Sequence, residues 1–386
     1  MNRSIFKILI IALSLSALFI NIPGPSSALA VSSSSPEWIT YGAQQGLPSD
    51  FVTAVALDSA GKLWAGTWEG VASLDGEKGG TWNSYSEKDG LKGSRVTCLE
   101  SSSGGGMWVG TLALSSRGGV TLLNNGSCRI IGEETGFRSD AVTALSEGPD
   151  GNLWIGTWGD GLALFNVKEW KLTRLFTLAD GLPSQDIVSV IATADGVWVG
   201  TKYNGAAFWD GYSWKVYNEH SSGLRNNAVH SICIRDGECW FGTWAGAFRI
   251  SGKADFSDPT QWSEYTDFMG RLADRFVRVL KADRWGGVWF GTDKGLTLFN
   301  GEKWTTFTTT SIRETVKDES RGIWIPSVRP QRSLPSNTVL DITFDGHSMI
   351  WVATDRGVAG WDISKTLYSG ISSGALNSAA PAKNGE

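Results

Sequence analysis

Several residue types are scarce in this 386-residue chain. It holds 3 His, 4 Cys, 4 Met and 11 Pro. Three scattered histidines (His220, His230, His347) offer no Ser/His/Asp constellation and no Cys/His metal spacing, so no catalytic or metal-binding residue and no cofactor is expected. Basic runs are absent as well. With 34 Lys+Arg against 39 Asp+Glu the net charge is -5, which argues against nucleic acid, because phosphate binding needs clustered Lys and Arg. A long apolar run occurs once, at Ile8–Ile20. With Arg3 and Lys7 before it and Ala28-Leu29-Ala30 after it, residues 1–30 are expected to be a secretory signal. The run is short for a membrane span, which takes about 20 residues, and nothing later is long enough. The expected location is therefore periplasmic or extracellular, with no membrane span after cleavage. Removing the segment takes away two positive charges and leaves about 32 against 39.

What the chain has in excess is tryptophan and glycine, 20 and 48 residues. A Trp-x-Gly-Thr step recurs at Trp64, Trp108, Trp154, Trp198, Trp240 and Trp289, and as Trp-Val-Ala-Thr at Trp351. The spacings are 44, 46, 44, 42, 49 and 62 residues, and a period of about 40–50 marks a propeller or solenoid built from one repeated unit. Within Phe51–Tyr85 the alternation and turn signals predict four short strands, Val52–Leu57, Leu63–Thr67, Val71–Leu74 and Thr81–Tyr85, which make one antiparallel blade. The fourth strand carries its own Trp (Trp38, Trp82, Trp170, Trp214, Trp262, Trp304), with Cys128 in that slot in the second unit. Gly-Leu-Pro-Ser-like links beginning at Gly46, Gly90, Gly136, Gly181, Gly223, Gly270 and, degenerately, Ser333 lead into the next unit.

The phase of the count predicts the closure. The chain after residue 30 opens with a fourth strand near Trp38–Tyr41 and its last repeat stops after a third strand near Val358–Asp362. The N-terminal strand should complete the last blade and remove the free sheet edges. The expected architecture is all-β: a seven-bladed propeller of four-stranded blades over 31–363, a disordered tail over 364–386, and an insertion at about 309–333. That insertion, with Trp324, Arg329 and Arg332, is expected to be an added hairpin rather than a degenerate eighth blade. The repeated Trp residues are expected to be inter-blade core. The four cysteines are expected as buried thiols, since a two-residue Asp236-Gly237 turn sets Cys239 opposite Ile234 and puts Cys233 and Cys239 on opposite faces.

These repeats resemble the two-component regulator propeller family, whose Asp-x-x-Gly-x-Leu-Trp-x-Gly-Thr pattern is matched closely by Asp150–Leu162. The resemblance covers about residues 37–363. It implies the sensing propeller of periplasmic sensors, where paired rings recognise carbohydrate fragments, and this chain departs from it in carrying no kinase or receiver segment. Directly after the Gly-Thr steps, one rim should present Trp68, Leu112, Trp158, Lys202–Tyr203, Trp244, Asp293 and Asp355, with Leu112–Gly119 as a flap. Aromatic faces cover sugar C–H surfaces and carboxylates accept hydroxyl hydrogen bonds, so Trp68, Trp158, Tyr203, Trp244, Asp293 and Asp355 are the candidate ligand-binding residues. The leading expectation is an exported, non-enzymatic ligand-binding module, with oligosaccharide as the ligand. The alternatives are an interaction scaffold with an envelope protein partner or as a homodimer, and a glycan lyase or hydrolase using His230 as a base.

Overall fold

The computed structural model describes Trp38 to Leu367 apart from residues 77–78, 113–117, 302, 319, 322, 331–333 and 365–366. The expected signal at 1–30 and all of the expected tail except Ser364 and Leu367 lie outside the described residues. The chain folds into seven antiparallel sheets arranged as the blades of a propeller. The last blade takes its fourth strand from the start of the ring, where Ile39–Tyr41 pairs with Val358–Gly360. Closure by the N-terminal strand is therefore as the repeat phase requires.

Each Trp-x-Gly-Thr residue has a separate mechanical role. The Trp is inter-blade core: Trp108, Trp240 and Trp289 are fully buried, and Trp64, Trp154, Trp198 and Trp351 nearly so. Three of the indole N–H groups end on carboxylates, Trp64 on Asp58, Trp108 on Glu147 of the following blade and Trp289 on Asp283, which satisfies a donor that burial would otherwise strand. The Gly is a hole for the next blade. A β-carbon on Gly242 would stand 2.7 Å from Cγ1 of Val277, a β-branched residue in the following blade's first strand. Val142 and Ile187 press on Gly110 and Gly156 in the same way. The Thr is buried in all seven blades and donates its hydroxyl to the carbonyl of the turn glycine after it, at 2.7–3.1 Å.

One blade departs from four strands. In the sixth, the added residues form a hairpin, Ser311–Asp318 with Ile323–Pro330, which pairs onto the fourth strand Lys303–Phe307 and widens the sheet to six strands. Pro326 and Pro330 sit on its outer strand, four residues apart and therefore on the same side. Neither can donate a hydrogen bond, and this blunts the new edge against further pairing. Trp324 lies in that strand, and its side chain is outside the described residues.

Cys239 is opposite Ile234 and Cys233 opposite Trp240, so these two thiols do lie on opposite faces of their hairpin.

The glycine hole makes a quantitative demand. Gly242→Ala should cost about 1–3 kcal/mol, because the close-packed Val277 and Leu280 must give way, and the urea midpoint should fall without a change in slope. An unchanged midpoint would show that the blades are not held by this contact.

Candidate functional site

Backbone hydrogen bonds place the second-to-third turns and the fourth-to-first links on one face. Trp158 N–H donates to Ala141, Gly159 and Gly161 to Gln185, Lys202 to Asp186 and Gly205 to Asn227. The Thr–Gly bond pins each turn from below. Gly205, with φ of 86°, turns a corner where a β-carbon would meet the Tyr217 carbonyl and Asn218. The rim side chains therefore stand on fixed backbone.

The predicted aromatic residues are all exposed there: Trp68 44 %, Trp158 50 %, Tyr203 56 % and Trp244 38 %. They do not form one uniform platform. Trp158, Tyr203 and Trp244 make a continuous belt across blades three to five, with the Lys202 ammonium 4.2 Å from the Trp158 ring and 5.1 Å from Tyr203, and with Tyr203 meeting Trp244 edge-on at 6.3 Å. Trp68 stands apart on blade one, with Phe51 at 4.3 Å and the Arg95 guanidinium at 4.0 Å. Asp293 pairs with Arg278. Asp355 holds one carboxylate oxygen buried without a hydrogen-bond partner. The flap expected at Leu112–Gly119 falls largely on residues 113–117, outside the described residues.

Cations on the first strands were not anticipated from the sequence. Each first strand has a bulge near its start, and Thr53, Thr97 and Thr143 there donate hydroxyls to the neighbouring blade's backbone. In blades five and six that position holds His230 and Arg278 instead. Arg95 opens the first strand of blade two. Together with Phe51, Trp68, Thr97 and Leu340, these three line a cavity of about 390 Å³. Residues from blades one, two, five, six and seven can meet only near the ring axis, so this cavity is the mouth of the central channel. His230 stacks on Trp244 at 5.2 Å, and its Nε2 is buried without a partner. Burial first, then the charges of Arg278 and Lys202, pull its pKa down to about 4, so the ring is neutral near pH 7. The repeat itself carried a signal for His230 and Arg278, since they fall at a position that holds Thr in three other blades and Val188 and Leu340 in the remaining two.

Deeper in the channel lie carboxylates. Glu100 of blade two interacts with Lys281 of blade six, Glu147 of blade three and Asp341 of blade seven, a set that also meets only at the axis. Burial, opposed in part by Lys281, raises Glu100 to about 7 and pushes Asp341 up as well. Among the described residues no group of three His, Cys, Asp or Glu could hold a metal ion.

The repeats have known counterparts. Residues 46–69, 136–159 and 223–245 match the two component regulator propeller model. Its fold is similar to the extracellular domain assigned to the hybrid two component system BT3049 of B. thetaiotaomicron (18 % identity, TM-score 0.62, covering 84 % of this chain and 42 % of that one). The BT4673 counterpart from the same organism is similar at 23 % identity and TM-score 0.63, covering 84 % and 40 %. The chain thus spans about two fifths of the length of these sensor domains. Virginiamycin B lyase of Staphylococcus aureus shares the fold at 15 % identity and TM-score 0.59, covering 84 % and 97 %. No curated protein matches the chain. No described helix is long and apolar enough to cross a membrane.

The raised Glu100 fixes the sign of one pH effect. Its folded-state pKa lies above the unfolded value, so its stabilising contribution is full below about pH 4.5 and is lost as pH rises through about 7. Glu100→Gln keeps an oxygen for the Glu147 amide and should match the parent near pH 4 in denaturant titrations. At pH 8 it should exceed the parent by up to about 3 kcal/mol. A constant difference across that range would refute the assignment.

Proposed function

We propose that this chain is an exported, ligand-binding propeller of the sensor type, and that its ligand is a carbohydrate held on the turn face. The observation that carries the reading is the belt of Trp158, Lys202, Tyr203 and Trp244: amphipathic rings exposed side by side on backbone that the Thr–Gly bonds hold still. Pyranose rings present C–H faces to such surfaces and hydroxyls to the polar groups around them. The similar extracellular sensor domains support the sensor-type reading at the level of the fold. Export rests on the composition of residues 1–30.

A scaffold reading draws on a different observation, the exposed Ile323, Ile325 and Val328 on the sixth-blade hairpin. It places the partner on the outer edge of the ring, away from the turn face.

The carbohydrate reading predicts a thermal shift. A ligand at 100 times its dissociation constant stabilises by about 2.7 kcal/mol, which moves the midpoint of the chain from residue 31 onward by several degrees. One glycan class should produce that shift in the parent, and Trp158→Ala should abolish it while leaving the ligand-free midpoint nearly unchanged, since the indole is half exposed. No shift from any glycan class would transfer support to the scaffold.

A further inference from the structure

The channel mouth carries more positive charge than its surroundings explain. The whole chain is net negative, -5. Yet Arg95 and Lys202 reach no carboxylate within ion-pair distance among the described residues and rest on aromatic rings instead. Arg278 has one carboxylate, Asp293, bound through its Nε. That leaves the two terminal nitrogens, the fork that fits a carboxylate or sulfate in the plane. The cavity lining holds Arg95 and Arg278 and no carboxylate, and Asp293 on Arg278 offsets one of these charges, which leaves the lining net positive, about +1. Further down the channel, burial raises Glu100 to about 7, so it offsets less of that charge than an ordinary carboxylate would. The walls are apolar or aromatic (Phe51, Trp68, Val188, Leu340), and low-dielectric walls focus the field into the opening.

We propose that this mouth is an anion site, and that the ligand of the turn face is an acidic oligosaccharide whose carboxylate or sulfate is taken by Arg95 and Arg278, with Lys202 and the unpartnered Nε2 of His230 beside them. The inference rests on the reading of this face as the carbohydrate face and adds the charge of the sugar. The geometry divides the labour. The belt from Trp158 to Trp244 takes a ring, and His230, stacked on Trp244, links the belt to the cavity holding both arginines. A ligand bridging the two sets a sugar ring on the belt and its acidic group over the axis. Arg95 and Lys202 rest on ring faces, so they are held near the opening without being neutralised.

The test uses the chain from residue 31 onward and four probes: a galacturonic acid trimer, its carboxyl-reduced neutral counterpart, a sulfated chondroitin tetrasaccharide and inorganic sulfate. Calorimetry at low and physiological ionic strength gives affinity and its salt dependence. At least one acidic oligomer should bind ten times or more tighter than the neutral trimer, with inorganic sulfate competing weakly. Arg95→Gln and Arg278→Gln should each weaken it about tenfold and flatten its salt dependence. If Arg95→Gln lowers the ligand-free thermal midpoint, Arg95→Lys replaces it, keeping charge without the fork. Equal binding of acidic and neutral trimers would overturn the anion site while leaving the carbohydrate reading intact. Acidic binding indifferent to both arginines would overturn it too, by placing the charge elsewhere. Silence from every probe, together with no thermal shift from neutral glycans, would remove both readings.

Discussion

Everything the turn face can do depends on one hydrogen bond repeated around the ring, from the threonine of each Trp-x-Gly-Thr step to the carbonyl of the following turn glycine. The hydroxyl is buried, so its alternative to this acceptor is an unsatisfied donor, and that asymmetry makes the bond hard to break. It ties the end of the second strand to the start of the third and sets the direction in which the intervening residues leave the sheet. Those residues are the rim. The preceding glycine, one step away, lets the next blade close in. A single tetrapeptide therefore fixes both the spacing between blades and the attitude of the side chains displayed above them.

Because those two tasks are so local, the sequence discloses them. The Trp, Gly and Thr positions each have one steric or polar reason to exist, which repeats in all seven blades for Trp and Thr and in six for Gly, the seventh carrying Ala353. Ring closure was equally legible, since it follows from counting strands. The rim aromatics could be named because they stand directly after the motif. Their environments could not be named, because the Lys202–Trp158 and Arg95–Trp68 contacts join different blades with no fixed sequence separation, and His230 reaches Trp244 across the strands of its own blade. The sixth-blade hairpin shows a similar limit. An excess of residues announces an insertion, but only the pairing of Ser311–Val316 with Lys303–Phe307 shows that it continues an existing sheet.

Charge is layered along the axis. Cations gather at the mouth, while Glu100 and Asp341 sit deeper with Lys281 near both. Burial makes these carboxylates costly to ionise, and Lys281 relieves only part of that cost. His230 is displaced in the opposite sense, kept neutral by burial and by the cations beside it. Between about pH 4 and 7 the two effects oppose each other: the neutral His230 favours the folded ring as pH rises, and the protonated Glu100 favours it as pH falls.

The same fold serves extracellular domains of two component systems and virginiamycin B lyase, so binding and catalysis have to be told apart at the side chains. A general base needs a partner that orients its ring and accepts the resulting charge. His230 is stacked against Trp244, its Nε2 has no partner, and the charges nearest to it are positive, which disfavours the imidazolium that proton abstraction would create. Arg95 and Lys202 rest on aromatic rings, and Arg278 rests on Asp293. Such an arrangement costs little to maintain when empty and gains most when an anion arrives, because the ligand adds charge pairing without requiring the rings to be rebuilt. The charges around His230 therefore weigh against its use as a general base.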